Sequence, residues 1–501
     1  MGLWNAIRNL SQKTAKPNNQ QDISFTESKE EITLENIKQQ FANVDDFVIK
    51  EKQWGNEKCF LLCIRSLVET ITLQEVVINP LHSQVGGNPE EIFPVSETLK
   101  QDQLRELVMD ICSGCTILLF IERKLILKIN TFSPPQRSIS PSESESSVLG
   151  PQDSFTESIQ TNLSLIKRRL RTPNLKSTTL ILGTEARQTV SVMYMENIAN
   201  QENLDRVLYR LRNIEFHGFT GLPVLMQALD DKPYSPFPQF GITSRPDNAM
   251  ASLLDGRIIF LMDGSPDVAI APATFFELFA SPEDFYNRWS TASLLRTIRF
   301  VGFFLTILFT PTYVSVLTFH QEMLPPAMLT LLAESRSRVP FPPIIEALMM
   351  EITIDILREA GSRMPTKIGQ TIGIVGGIVI GTAAVEAGLA SNILIVIVAI
   401  SALLSFLPAN YLMSNASRVV RYIFILAAGI IGVYGQMLAF AWLMIHLLNV
   451  TSLGTPYMTP VIPRSITDLG NSLFRAPLVY FFKRMGAGRV KKHFVRPTDE
   501  E

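Results

Sequence analysis

Residues 368–381 read Ile-Gly-Gln-Thr-Ile-Gly-Ile-Val-Gly-Gly-Ile-Val-Ile-Gly, a run without a charged side chain. Glycine recurs in it at every fourth position, at Gly369, Gly373, Gly377 and Gly381. On an α-helix this spacing keeps the glycines on one face and leaves a groove there. A groove lets a second helix approach closely, which is how helices associate in a bilayer, where apolar burial gives no driving force. The run therefore predicts a membrane helix that packs through its glycine face.

The opposite face of the same helix carries Thr371, Val375, Ile378 and Thr382, with Glu386 at one end. Apolar constrictions in channels close a pore by dewetting. We therefore expect this face to line an ion path. A phosphate-binding glycine loop is disfavoured, because the run is apolar throughout and lacks the Lys-Ser or Lys-Thr pair that such a loop requires.

Long apolar runs continue on both sides of the glycine-rich run, from Leu294 to Asn449. Each candidate span is long enough to cross a hydrocarbon core of about 30 Å. A basic C-terminal tail predicts a cytoplasmic C-terminus and an even number of spans. Four spans leave several arginines on the outer side, so the number stays open between four and six. The candidate spans are Thr297 to Phe319, Ile368 to Glu386, Leu389 to Met413 and Val420 to Leu448.

The apolar segment from Pro340 to Arg358 and its continuation contain an acidic stripe at helical spacing, Glu351, Asp355 and Glu359. Carboxylates at membrane depth are costly, so they are expected to face water or a cation path. One interpretation is a water-filled cation vestibule lined by these three carboxylates. The other is a helix on the membrane surface with a solvated acidic face. The sequence leaves both open.

A polar N-terminal half precedes this part, because the 501-residue chain is 46% hydrophobic with a mean hydropathy of only +0.18. No apolar stretch of signal-peptide length opens the chain, so the first lobes are expected in the cytoplasm. The predicted class is two α+β or α/β cytoplasmic lobes followed by an α-helical multi-span transmembrane domain. The predicted parts are a flexible N-terminus (1–22), a first lobe (23–132), a Ser/Pro-rich linker (133–149), a second lobe (150–290), a transmembrane domain (291–455) and a basic C-terminal segment (456–501).

The two lobes repeat one plan. Phe93-Pro94, a helix ending at Cys112, Gly114 and a hairpin have counterparts in Phe237-Pro238, a helix ending at Leu254, Gly256 and a hairpin. The order of these parts and their spacing nearly coincide. This predicts an internal duplication.

Little in the sequence indicates catalysis or a cofactor. Cysteines at 112 and 115 have zinc-ligand spacing, but Cys59 and Cys63 share one face of a strand-like run, where small thiols pack as ordinary core. The histidines show no metal-ligand spacing and no serine-nucleophile motif occurs. The net charge of -2, without a basic stripe, does not favour nucleic acid. We expect no enzyme, no cofactor and no metal.

Several long motifs resemble the A subunit of GerA-type spore germination receptors. They include the runs 150–158 (GPQDSFTES), 281–286 (SPEDFY), 339–342 (VPFP) and 357–361 (LREAG), together with the glycine-rich span. The resemblance covers about Gly150 to Met413.

This resemblance implies a receptor in the inner membrane of bacterial spores that senses nutrients and starts germination. It implies a permease-like B subunit and a lipoprotein C subunit as partners, and an A subunit that forms a homo-oligomer, possibly a pentamer, and conducts ions. Two other classes stay open. A secondary transporter requires inverted repeats, which the membrane part does not show; a non-conducting sporulation membrane scaffold, or accessory protein of spore small-molecule transport, is the alternative.

Overall fold

The structure is a computed structural model. It describes residues 32–54, 57–83, 89–93, 96–101, 103–132, 145, 149–363, 381–463, 472–477, 484, 488, 490 and 491. The chain divides into two compact units. The first unit comprises Met1–Leu229, Ile242–Pro272 and Phe481–Glu501, and the second comprises Asp230–Gly241 and Ala273–Tyr480.

The first five-stranded sheet is formed by β1 (Phe47–Trp54), β2 (Glu57–Ile64), β3 (Glu97–Thr98), β4 (Cys115–Phe120) and β5 (Leu125–Asn130). Its spatial order is β1-β2-β4-β5-β3, with antiparallel neighbours throughout. The accompanying helices are α1 (Leu34–Gln40), α2 (Thr70–Leu73), α3 (Asn79–Ser83), α4 (Pro89–Ile92) and α5 (Leu104–Cys112).

The second sheet is formed by β6 (Leu175–Leu182), β7 (Gln188–Met195), β8 (Gly241–Thr243), β9 (Ile258–Met262) and β10 (Val268–Ala271). Its order is β6-β7-β9-β10-β8, the same as in the first sheet. The accompanying helices are α6 (Ile159–Arg169), α7 (Gln201–Arg212), α8 (Leu222–Leu229) and α9 (Pro246–Leu254). The shared order agrees with the predicted duplication.

A glycine at equivalent points shows how the repeat arises from the sequence. Gly114 follows α5 with φ +95°, and Gly256 follows α9 with φ +80°. Both conformations disfavour any residue with a Cβ atom. An added Cβ would also lie 2.5 Å from Phe132 at the first position and 2.2 Å from Val490 at the second. Each glycine thus ends a helix and turns the chain into the next hairpin.

The cysteines belong to the core of the first lobe. Cys59 and Cys63 pack in one buried cluster with Trp54, and Cys112 packs in another. Burial raises the pKa of the Cys59 and Cys63 thiols to about 11 and that of Cys112 to about 12. Because a metal ligand must be a thiolate, these environments favour the core interpretation over zinc.

The second unit consists mainly of helices. They are α10 (Trp289–Phe319), α11 (Pro326–Arg336), α12 (Pro343–Ser362), α13 (Asn392–Leu404), α14 (Tyr411–Ile431) and α15 (Val433–Asn449), with residues 381–386 also helical. A short hairpin of β11 (Thr451–Ser452) and β12 (Thr455–Pro456) follows. Among the described residues, α10 and α14 are long and apolar enough to cross a membrane, and α13 and α15 are shorter apolar helices.

Two of the candidate spans are wrong as single helices. The predicted span Leu389 to Met413 is interrupted between α13 and α14, where Pro408 cannot donate a helical hydrogen bond and Asn410 caps α14. The predicted span Val420 to Leu448 is divided by Gly432, whose φ is +69°. Most of the span Ile368 to Glu386 lies outside the described residues.

The helices α10, α14 and α15 connect two ends of this bundle. At the first end, the Phe275 amide just before α10 donates to the Tyr457 carbonyl just after α15, at 2.9 Å. At the second end, Gly432 lies against Phe319 and His320. The helices α10 and α14 therefore run from the first end to the second, and α15 returns.

The helices α12 and α13 run from the second end to the first, opposite to α10 and α14. The N-terminal part of α12 lies at the second end, where Ile344 contacts Gly429, and its C-terminal part reaches Ser405 through Arg358. At the start of α13, Ser391 bonds the Tyr313 hydroxyl, whereas Leu407 beyond its end contacts Gly302.

The flanks of segment 364–380 therefore stand at opposite ends of the bundle. Arg363 closes α12 at the first end. Gly388 lies against the Arg338 carbonyl, next to the start of α12 at the second end.

A buried charge cluster in the helical unit

The three carboxylates of the predicted stripe lie on α12 but in three different environments. The side chain of Glu351 is 0% exposed, that of Asp355 is 21% exposed and that of Glu359 is 65% exposed. Exposure thus increases from the middle of α12 toward its C-terminus. A uniformly solvated acidic face is therefore wrong for Glu351.

Glu351 is held by groups from two other helices. Its carboxylate lies 2.8 Å from Nη2 of Arg421 on α14 and accepts a hydrogen bond of 2.7 Å from the Thr310 hydroxyl on α10. Arg421 is itself buried and donates from Nη1 to Ser401 Oγ on α13, at 3.1 Å. The Ser401 hydroxyl in turn donates a hydrogen bond to the Thr306 carbonyl on α10, at 3.2 Å. The pair therefore joins α10, α12, α13 and α14.

Asp355 lies one helical turn further along α12. It accepts a 2.7 Å hydrogen bond from the Tyr422 hydroxyl and lies 3.5 Å from Nη1 of Arg418. Nη2 of Arg421 is 3.9 Å away. Asp355 thus bridges two arginines on adjacent turns of α14.

Glu359 does not join this cluster. It pairs with Arg363 on its own helix at 2.6 Å, and both side chains are exposed. An exposed pair of this kind contributes at most about 1 kcal/mol. Because Glu351 contacts Arg421 and not an open space, a cation vestibule is confined to the Glu359 end of the stripe, where it stays a prediction.

A second buried carboxylate fixes the start of α12. Glu346 is 0% exposed, accepts from the Ser391 amide at 2.6 Å and lies 3.3 Å from Arg336 on α11. Ser391 in turn bonds the Tyr313 hydroxyl at 2.9 Å. The helix α12 is therefore held at the second end of the bundle and in its middle by separate ionic contacts.

The other predicted site residues are only partly described. Gly369, Gly373, Gly377, Thr371, Val375 and Ile378 lie outside the described residues. Gly381 belongs to the helical stretch 381–386, and a Cβ there would meet nothing within 4 Å. Thr382 and Glu386 are exposed on the same stretch. Glycine packing and pore lining stay predictions.

The basic half of the cluster is not predicted from the sequence. A count of four spans leaves Arg418 and Arg421 among the arginines on the outer side, whereas both lie inside α14. Their i, i+3 spacing in an otherwise apolar helix is the signal that locates them, because charges at membrane depth require partners. Glu346 and Thr310 carry no comparable signal.

Two arginines in the first turns of α10 are also ion-paired. Asp284 is fully buried and lies 2.8 Å from Arg299 and 3.3 Å from Arg296. Burial alone raises the pKa of this carboxyl, but Arg299 and Arg296 outweigh it and hold the pKa of Asp284 below its ordinary value. Its contribution to stability is complete above the ordinary carboxyl pKa and is lost only as the pH falls through the lowered value.

The arrangement indicates a structural role for the cluster. A buried carboxylate–guanidinium pair with further hydrogen bonds is charge-neutral, whereas removing one partner leaves an uncompensated buried charge. The cluster thus stabilises one packing of four helices.

Known proteins match this chain over most of its length. The family model described as the Bacillus/Clostridium GerA spore germination protein matches residues 35–486. The chain belongs to the GerA family of spore germination proteins. Spore germination protein GerQA of Bacillus cereus is 38% identical over 466 residues, 92% of this chain and 93% of that protein.

Other relatives of the chain are of similar length. Spore germination protein KA of Bacillus subtilis (strain 168) is 34% identical, covering 88% of this chain and 83% of that protein. The membrane protein YfkQ of the same bacterium is 32% identical, covering 93% and 94%. Among solved structures, the N-terminal domain of the A subunit of the Bacillus megaterium spore germinant receptor GerK3 is 25% identical, covers 48% of this chain and 94% of that domain, and has a TM-score of 0.37.

Proposed function

We propose that this chain is the membrane-embedded A subunit of a spore germinant receptor that forms or gates an ion pathway. The observation that supports the proposal best is the Glu351–Arg421 pair, buried among apolar helices of a GerA-family chain. Ionisable groups at membrane depth are rare and typically serve ion movement or its control.

The proposed membrane part crosses six times. Five of the passages are made by helices that run between the two ends of the bundle as described: α10, α12, α13, α14 and α15. In this proposal segment 364–388, between α12 and α13, supplies the sixth. Arg296, Arg299, Arg358, Arg363 and Arg418 then lie toward the first end. The excess of arginine there makes the first end cytoplasmic.

This topology removes the conflict in the charge pattern. With six passes, both the lobes and the C-terminal segment belong to the cytoplasmic side of the inner membrane, which in a spore is the core side. The loop arginines that four spans leave outside then lie inside.

The proposed assembly is a homo-oligomer, with a pentamer as the expected form, and has a permease-like B subunit and a lipoprotein C subunit as partners. The glycine face of residues 369–381 packs between neighbouring helices, and the face of Thr371, Val375 and Ile378 lines the path. The mass of the detergent-extracted Gly377→Leu complex, compared with that of the unmodified complex, is the test of the glycine face.

The conducting role is tested by polarising the proposed constriction. In spores that lack their own copy of this gene, the unmodified chain is expected to restore the nutrient response. Val375→Ser or Ile378→Ser is expected to release ions and start germination without nutrient, because a polar ring no longer dewets. Ion release is measured from dormant spores and single-channel current from purified protein in bilayers.

The matched control is Val396→Ser, the same change at an exposed position of α13. It is expected to leave dormancy intact. If the Val375 and Ile378 variants are as silent as the control, residues 375 and 378 do not line the path. If the purified protein passes no current with or without these substitutions, the alternative of a non-conducting scaffold or transport accessory is favoured.

A further inference from the structure

The charge cluster contains one more cation than it contains carboxylates. Arg421 pairs with Glu351 and Arg418 pairs with Asp355. Arg358, on α12, lies within electrostatic range of Asp355 and of both arginines. Among the described residues it forms no ion pair of its own. A third guanidinium therefore lies beside two carboxylates that are already paired with other arginines.

The protein satisfies only part of the Arg358 guanidinium. Nη2 donates to Ser405 Oγ at 2.6 Å and to the Ala402 carbonyl at 3.3 Å, at the C-terminal end of α13. The guanidinium carbon lies 4.0 Å from the centroid of the Phe406 ring. A guanidinium has five N–H donors. Those on Nε and Nη1 have no partner among the described residues, and neither atom is among the fully buried unpaired ones, in keeping with a side chain that is partly exposed.

These donors stand where a lipid headgroup would stand. Leu407, next to Phe406, contacts Gly302 near the beginning of the apolar part of α10. Phe406 is 64% exposed and Tyr411 is 72% exposed. Exposed aromatic side chains of this kind mark the boundary between hydrocarbon and water. The site therefore lies at the first end of the bundle, at headgroup depth.

We propose that Arg358, oriented by Ser405 and Phe406, binds the phosphate of an anionic phospholipid at the first end of the bundle. The proposal rests on the membrane placement given under the proposed function. Guanidinium and phosphate form paired, charge-assisted hydrogen bonds. Basic pockets between membrane helices on the cytoplasmic side bind anionic headgroups. The lipid phosphate supplies the negative charge that the cluster lacks.

The experiment measures which lipid the purified full chain retains. The protein is mixed in detergent with equal amounts of phosphatidylglycerol and phosphatidylcholine, and retained lipid is counted by native mass spectrometry. One basic residue near a surface favours an anionic lipid by roughly fivefold, so the unmodified chain is expected to show about that preference. Arg358→Gln is expected to abolish it. Arg358→Lys keeps the charge but loses the planar guanidinium that binds phosphate through two hydrogen bonds, so it is expected to retain part of the preference.

The matched control is Arg363→Gln, which removes an arginine from the same end of α12 that is already paired with Glu359. It is expected to keep the preference. Should Arg358→Gln fail to fold, Ser405→Ala tests the same site with the charge preserved, and a reduced preference is expected. Equal preference in all variants would overturn the site, as would a loss in Arg363→Gln as large as in Arg358→Gln.

Inorganic phosphate separates the two sources of this chemistry. A tenfold excess of free phosphate is expected to leave the lipid in place, because the acyl chains add binding energy that free phosphate lacks. Displacement of the lipid would assign the site to soluble phosphate and contradict the proposal that a phospholipid binds there. A chain that stays soluble without detergent would contradict the membrane placement itself, whereas a chain that requires detergent but shows no lipid preference contradicts the Arg358 site alone.

Discussion

Glu351 and Arg421 are expected to depend on one another. Replacing either by an apolar residue leaves the other charge buried and is expected to cost about 3 to 5 kcal/mol of stability. The double variant Glu351→Met with Arg421→Met is expected to recover most of that loss, since Asp355 keeps Arg418 and Tyr422 as partners. Thermal unfolding in detergent measures all three variants.

Thr310→Val is the control for this pair. It removes the one hydroxyl donor to Glu351 without removing a charge, so a smaller loss of about 1.5 to 3 kcal/mol is expected. If the single and double variants at 351 and 421 were additive, the two residues would not be energetically coupled, and the pair would not hold α12 to α14.

At the scale of single residues, the sequence predicts which side chain carries an unusual charge better than it predicts which residue pairs with that charge. The acidic spacing on α12 singles out Glu351, which the structure shows to be buried. The group that balances its charge, Arg421, is 70 positions away in the chain. Only packing of α12 against α14 brings the two together, and a pattern confined to one helix contains no information on that packing.

At the scale of elements, small residues decide how closely the helices approach. A Cβ added at Gly429 on α14 would lie 2.1 Å from Cδ1 of Ile344 on α12. Gly429→Leu is therefore expected to push the two helices apart and lower the melting temperature, and adding Ile344→Ala is expected to restore part of it. Gly429→Ala is expected to be milder than Gly429→Leu but still destabilising, because Cδ1 of Ile344 can rotate away whereas its Cβ, 2.9 Å from the added Cβ, moves only if the helices shift.

Gly361→Leu is the matched control, because a Cβ at Gly361 near the end of α12 meets nothing within 4 Å. It is expected to fold as the unmodified chain does. Unfolding temperatures compare the variants, and equal temperatures for Gly429→Leu and Gly361→Leu would show that close contact at Gly429 does not stabilise the bundle.

Helices and hairpins are predicted from the sequence where local signals are strong. The hairpin around Asp263 and Gly264 and the helix ending at Leu254 are confirmed. The membrane helices are predicted less well, because hydropathy is continuous across Pro408 and Gly432. At these two residues a helix ends although the neighbouring side chains remain apolar. A hydropathy profile therefore joins helices that the missing N–H of Pro408 and the positive φ of Gly432 separate.

At the scale of the whole molecule, the order of helix ends determines how the charges are distributed. Glu359 and Arg363 lie at the first end of the bundle and Glu334 lies on α11, toward the second. At the proposed cytoplasmic mouth, Glu359 is therefore the exposed carboxylate of the stripe, and its negative charge offsets part of the arginine charge there. Hydropathy does not predict this, because it requires the direction in which α12 runs.

Glu359→Gln is expected to lower cation current through the reconstituted chain in a salt-dependent way. One charge about 8 Å from a path in water contributes about 0.5 kcal/mol, or roughly a twofold change in local cation concentration. The screening length falls from about 30 Å at 0.01 M salt to about 3 Å at 1 M. A roughly twofold loss is therefore expected at the lowest salt concentration and none at the highest. The control, Glu334→Gln, removes an exposed carboxylate toward the other end. It is expected to leave the current that enters from the proposed cytoplasmic side unchanged. If both variants behave alike across the salt series, Glu359 does not face the path and the vestibule is excluded from the mechanism.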